Sequence, residues 1–200
     1  ALSSAASDVY KRQGCRNLQF DDCVWGGMVN PKLAVALTGR SGEALEEYKK
    51  LMLKLNNEVV AAAPEDLLIN THVCRGNYHS TFFSSGAYDS VADLLFGEEN
   101  VNAYYLEYDD ERSGGFAPLA KVSGDKKVVL GLVTTKTPAL ENKELVINRI
   151  HEAAKYVPLD RLYLSPQCGF ASCKIGNKLT EEEQWAKLKL VKEIAEEVWG

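Results

Sequence analysis

Five short apolar runs recur along the chain with helix-period segments between them, and this alternation restricts the fold more than any other feature. The runs cover residues 15–20, 67–73, 101–107, 127–133 and 161–164. Between them, Leu45, Tyr48, Met52, Leu55 and Val59 recur at three and four from about Ser41 until Pro64. Tyr88, Val91, Ala92 and Leu95 make a shorter helical face ending near Gly97, and Leu145, Ile150, Ala153, Ala154 and Val157 a third. In the last helix Thr180 and Glu183 form a capping box, with Trp185, Leu188, Val191, Ile194 and Val198 along one side. Gly26-Gly27 and Asn30-Pro31 read as loop. Strand and helix alternating five times, with connections long enough for right-handed crossovers, predict an α/β fold around a parallel sheet.

At 200 residues and 46% hydrophobic the chain can bury one core, and no apolar run approaches the roughly 20 residues of a membrane span. A net charge of −5, with Lys and Arg scattered among acids, argues against a nucleic-acid surface. Five cysteines, an odd number, favour reduced thiols and a cytoplasmic setting. Residues 1–13 show no apolar period continuous with the first run, and residues 8–13 resemble translated adapter read-through. The expected division is therefore a non-native leader over 1–13 and the folded unit over 14–200.

The run ends hold the chemistry. Residues i and i+2 of a strand share a face, so His72 and Cys74 aim at one point just past the strand. Such a pair alone is more often a buried strand end than a metal site. Glu107 and Cys168, however, close two later runs at the same strand polarity, and one His, one carboxylate and two thiolates suit zinc. Asp21 and Lys136 follow two further runs. In parallel α/β folds, functional groups gather at the carboxyl ends of the strands, so the set points to an enzyme. Cys15, Cys23 and Cys173 read as small apolar fillers, with Cys173 near enough to Cys168 in sequence to compete as a ligand; His79 completes a His-x-Cys-x₄-His spacing but reads as a loop residue, His151 as a helical residue with no partner in sight, and residues 109–112 as a solvated charge run. The loop over residues 75–86, with Phe82-Phe83, suits a pocket cover and an ordinary surface loop equally.

From Gly14 to Gly200 the chain resembles the C-terminal part of the cobalamin-independent methionine synthase family, in its shorter single-domain form. The matching stretches are Leu18-Gln-Phe-Asp21, Asn70-Thr-His-Val-Cys74, Tyr105-Leu-Glu107, Gly131 through Thr137-Pro138, and Ser165-Pro-Gln-Cys-Gly169. The resemblance implies a (β/α)₈ barrel of the TIM type with zinc held by His72, Cys74, Glu107 and Cys168, and Asp21 holding the substrate amine. It further implies methyl transfer to homocysteine from a methyl-folate donor, giving methionine. Two thiolates and a carboxylate bring three negative charges to a dication. Such a site activates water poorly and holds another thiolate well.

Two departures bear on the donor. Thr134-Thr-Lys136 stands where the two-domain enzymes have Asp-x-His, whose His is the expected proton donor to the leaving group, so the resemblance gives Lys136 that catalytic position. Gln167 stands where they have Asp. Alkyl transfer to a different thiol, or an inactive zinc-binding fragment, are the alternative readings. A (β/α)₈ barrel takes about 250 residues and five units are countable here, so about three are expected upstream of Gly14. The missing N-terminal half of the barrel is thus an expected partner, and the isolated chain is expected to associate through open sheet edges and to lack activity.

Overall fold

The computed structural model describes residues 9–200. Residues 1–8 of the expected leader lie outside the described residues. Residues 9–12 are helical and join the rest of the chain through a Lys11–Asp66 ion pair and a bond from the Cys15 N–H to the Tyr10 carbonyl at 3.1 Å.

Five strands, β1 (Asn17–Asp21), β2 (Leu68–Val73), β3 (Ala103–Glu107), β4 (Lys127–Val133) and β5 (Leu162–Pro166), form one parallel sheet in the order 1-2-3-4-5. Each strand lies beside its neighbour in sequence with no reversal of order. This is the wall of a (β/α)₈ barrel; a doubly wound sheet reverses direction at a switch point. Among the described residues an α-helix follows each strand except β3, and β1 and β5 each pair on one side only.

The register sorts the strand residues onto two faces. Ile69, Val73, Tyr104, Leu106, Val128, Leu130, Leu132 and Leu162 form the apolar core with the helices. The other face reads Asn17, Gln19, Asp21, then Asn70 and His72, Tyr105 and Glu107, and Lys127, Tyr163 and Ser165. It curls round a groove of about 780 Å³ lined by residues from all five strands.

The helices differ from the sequence expectation in three places. The stretch read as loop after β1 is two capped helices, α1 (Cys23–Met28) and α2 (Pro31–Thr38). Asp22 accepts from the N–H groups of Val24 and Trp25, and Asn30 from those of Lys32 and Leu33, with Pro31 at the first helical position. Asn-Pro here is a helix start, since proline there gives up a donor that has no intrahelical partner anyway. No α-helix joins β3 to β4, which are connected through 3₁₀ turns at Glu111–Ser113 and Ala117–Lys121.

Two buried lysines, finally, shift the buried stripes of α3 (Gly42–Ala61) and α6 (Glu181–Trp199). In α3 the buried residues are Leu45, Lys49 and Leu53; in α6 they are Lys187, Leu190 and Ile194, while Trp185 is 60% exposed. A lysine stem covers apolar surface like any aliphatic chain when its ammonium finds acceptors. Lys49 reaches Glu46 and the Ser90 carbonyl, and Lys187 reaches the Ala139 carbonyl and the Glu141 carboxylate. The other two helices are α4 (Ala92–Glu98) and α5 (Lys143–Ala153). In α5, Val146, Ile147, Ile150 and Ala153 face inward and Leu145 faces out. Among the described residues no helix is long and apolar enough to cross a membrane.

Candidate metal centre

The carboxyl ends of β2, β3 and β5 bring one ligand atom each from His72, Cys74, Glu107 and Cys168 within 4.8 Å of one another. The four residues chosen from the sequence therefore meet at one point. Register explains two of them: Asp21 pairs with His72, His72 with Tyr105, and Glu107 sits one step further along the same face. Cys168 arrives from beyond β5 because Gly131, beside Glu107, has no side chain. A Cβ there would lie 2.6 Å from the Gln167 Cα and 2.8 Å from the Leu106 carbonyl oxygen.

The loop bearing Cys168 is fixed by its neighbours. The Gln167 side chain accepts from the Thr135 N–H (2.6 Å) and donates to the Thr135 hydroxyl (3.0 Å), which in turn donates to the Gly169 carbonyl (2.9 Å). An aspartate carboxylate is shorter and only accepts, so glutamine is the residue that fits this arrangement. Asn77 donates to the Gly169 carbonyl and Asn177 bridges Asn77 to Thr135, which ties together the loops after β2, β4 and β5. His79 and Ser80, both at positive φ, hold the same junction through Gly176 and Asn177. The loop therefore spans the mouth, although Phe82 and Phe83 at its outer side stay exposed.

The donor set fits a zinc ion. His72 Nδ1 lies 3.2 Å from the Tyr105 carbonyl, which can only accept, so Nδ1 carries the proton and Nε2 presents a lone pair. That Nε2 is buried, has no hydrogen-bond partner, and lies 3.7 Å from Glu107 Oε1. The hydrogen bond from Cys74, opposed by burial and helped by His72, lowers the Cys168 thiol, while its bond to Cys168 and burial push Cys74 up. Burial works to lower His72, but the Cys168 sulfur together with Glu107 and Asp21 leaves it raised. Burial also raises Glu107 against the Arg75 N–H and His72.

Both Glu107 oxygens are held. The Arg75 N–H donates to Oε1 at 2.8 Å and Arg112 Nη2 to Oε2 at 2.9 Å. Arg112 Nη2 also lies 2.9 Å from Asp109, whose other oxygen takes the Lys136 ammonium. Of the stretch expected to be a solvated charge run, Asp110 and Glu111 do face solvent, whereas Asp109 and Arg112 are buried in a relay of alternating charge, Glu107–Arg112–Asp109–Lys136. Burial raises the Asp109 carboxyl, but Lys136 and Arg112 more than offset it and leave its pKa lowered.

Lys136 is thus an ion-paired, buried ammonium. Asp21 is 66% exposed, with Oδ1 4.0 Å from His72 Nε2, and lines a hollow of about 390 Å³ with His72, Tyr105 and Cys168. Cys23, read as a filler, is exposed and groups with Asp21 and Cys74. Burial and the charges of Asp21 and Asp22 raise its thiol.

Residues 11–197 match the family described as the cobalamin-independent synthase catalytic domain. The chain is 48% identical over 200 residues to the uncharacterised Bacillus subtilis protein YxjG, covering all of this chain and 52% of that one. It is 49% identical over 187 residues to YxjH of the same organism, covering 93% and 49%. The chain thus spans about half the length of these relatives. A solved structure of a putative vitamin-B12 independent methionine synthase from Listeria monocytogenes superposes with a TM-score of 0.73 at 40% identity, covering 99% of this chain and 53% of that one. A B12-independent methionine synthase from Shewanella shares the fold at 19% identity with a TM-score of 0.69, over 98% of this chain and 52% of that one. With the sequential parallel sheet and the strand-end cluster, these likenesses establish that the chain belongs to the cobalamin-independent methionine synthase family.

Proposed function

We propose that residues 14–200 form the zinc-bearing part of a (β/α)₈ methyltransferase that transfers a methyl group from a methyl-folate to the sulfur of homocysteine. The observation behind this reading is the convergence of His72, Cys74, Glu107 and Cys168 at the carboxyl ends of parallel strands. When bound, zinc would hold the acceptor sulfur as a nucleophilic thiolate. The chain's own residues prepare the rest. Tyr105 fixes the His72 tautomer through its carbonyl, and Arg75 and Arg112 hold the Glu107 carboxylate from both sides. Asp21, exposed beside the cluster, is placed to accept the amine of an amino-acid thiol.

In this proposal Lys136 acts near the leaving group of the donor. Its pairing with Asp109 makes it a fixed cation suited to stabilising negative charge developing there. The same pairing departs from a histidine acid, and so favours as second reading an alkyl donor other than methyl-folate or a different thiol acceptor. The open edges of β1 and β5 and the polar groove agree with further strands, from a longer chain or a partner, completing the ring.

Metal analysis of the purified chain tests the centre: about one zinc per chain is expected, with loss in Cys74→Ser and in Cys168→Ser. Full zinc occupancy in both variants would remove the ligand assignment. In an enzyme whose ring is completed by further strands, homocysteine and methyl-folate should give methionine, and Lys136→Ala should lower kcat far more than it weakens thiol binding. Unchanged turnover would take Lys136 out of the mechanism.

A further inference from the structure

Cys23 sits beside the centre for a structural reason. The chain leaves β1 at Asp21, Asp22 turns inward as the cap of α1, and Cys23 is the first helical residue. α1 then lies directly on the backbone beyond β2: a Cβ on Gly26 would be 1.9 Å from the Cys74 carbonyl oxygen. Only glycine allows that approach, and the approach brings the start of α1 to the Cys74 side chain. As a result one ligand atom each of Asp21, Cys23 and Cys74 lies within 4.8 Å of the others, and two of these residues are exposed. Asp22 is engaged elsewhere, in the cap and with Asn56 at 2.8 Å. Cys23 and Asp21 belong to neither the apolar core nor the set His72, Cys74, Glu107 and Cys168.

We propose that Asp21, Cys23 and Cys74 form a second site for a thiophilic divalent cation at the mouth of the sheet, sharing the Cys74 sulfur with the inner centre. A thiolate has lone pairs enough to bridge two soft cations, and carboxylate, thiolate and water complete the outer one. Charge favours it. The inner ligands leave a dication at net −1, and Asp21 and Cys23, once its proton is released to solvent, add two negative charges that a second dication neutralises. The site is open to solvent and has fewer protein ligands, so it fills after the inner one. Its occupation takes Asp21 away from an incoming amine, so excess metal opposes acceptor binding; the shared thiolate and the charge argument rest on the inner centre proposed above, and this consequence also on the amino-acid thiol acceptor.

Equilibrium dialysis with Cd²⁺ alone tests the site, on the full chain with Cys15 and Cys173 replaced by Ser so that no other exposed thiol contributes. A second, weaker equivalent of Cd²⁺ is expected. Cys23→Ser should abolish it without changing the first, and Asp21→Asn should weaken it. Saturation at one equivalent, or a second equivalent that survives in Cys23→Ser, overturns the proposal. His72→Ala separates the two centres: it should weaken the first equivalent and spare the Cys23-dependent one. An unchanged tight equivalent in His72→Ala would refute the inner assignment while leaving the outer site standing.

Discussion

The two faces of the sheet are made from the same strands, alternating residue by residue, yet they solve different problems. On the helix side Ile69, Val73, Leu106, Val128 and Leu130 are buried against α-helices, and no ligand-type residue interrupts them. The opposite side mixes polar residues with Leu68, Ala103 and Val129, and its burial is graded. Asn17 and Lys127 are exposed at the amino ends, whereas His72 and Glu107 are buried at the carboxyl ends. One face supplies stability through removal of apolar surface from water; the other holds charge that only close partners make tolerable.

Substitutions can break that division. Leu130→Ala, in the centre of the helix side, should cost ~2–5 kcal/mol in urea melts, because the cavity cannot collapse between the two flanking strands and the helices. A loss near zero would mean that this face is not the core. Glu99 is a buried acid on that side, held by Asn56 at 2.8 Å. Burial, opposed by the Asn56 bond and helped by the Asp22 charge, pushes it from 4.5 to about 7. A carboxyl raised on folding contributes stability fully below its unfolded pKa and loses it as pH rises through the folded value. Glu99→Gln should therefore stabilise the chain at pH 8 relative to pH 4.5, by about 3 kcal/mol at most. Equal shifts at the two pH values would show that Glu99 ionises freely.

On the opposite face, zinc at ~100 times its Kd should add ~2.7 kcal/mol to the stability, an increment that Cys168→Ser abolishes. Retention of the increment in that variant would move the metal elsewhere. The smallest effect is expected at Tyr163, on the exposed lower part of the same face, where Lys127 lies over the ring. Tyr163→Ser should change the stability of the chain by less than about 1 kcal/mol. A larger loss would mean that this part of the groove is packed in solution.

The site was more legible than its surroundings. His72, Cys74, Glu107 and Cys168 stand out because zinc-ligand types at strand ends are few and strand polarity places them on one rim. Arg112 and Asp109 were hidden, since a run of charges after a strand has the same composition whether water or protein surrounds it. Asn30-Pro31 was hidden for a local reason: the pair begins turns and helices alike, and only the capping hydrogen bonds distinguish them. Lys49 and Lys187 were hidden because a pattern counted by polarity cannot see a buried aliphatic stem.

The sequence by itself determined the strands, their parallel arrangement and the ligand types, because apolar periodicity and residue chemistry are local properties that burial later exploits. Tertiary structure alone decided which charges were buried with partners and which cysteine was spare. Glu107 acquires its two arginine contacts from residues that come after different strands, Arg75 after β2 and Arg112 after β3. Cys23 reaches Cys74 only because a glycine one turn further along α1 lets a helix rest on a carbonyl 48 residues away in sequence, from Gly26 to Cys74. Such contacts depend on distances that the fold sets after every local preference has been satisfied, so no local pattern contains them.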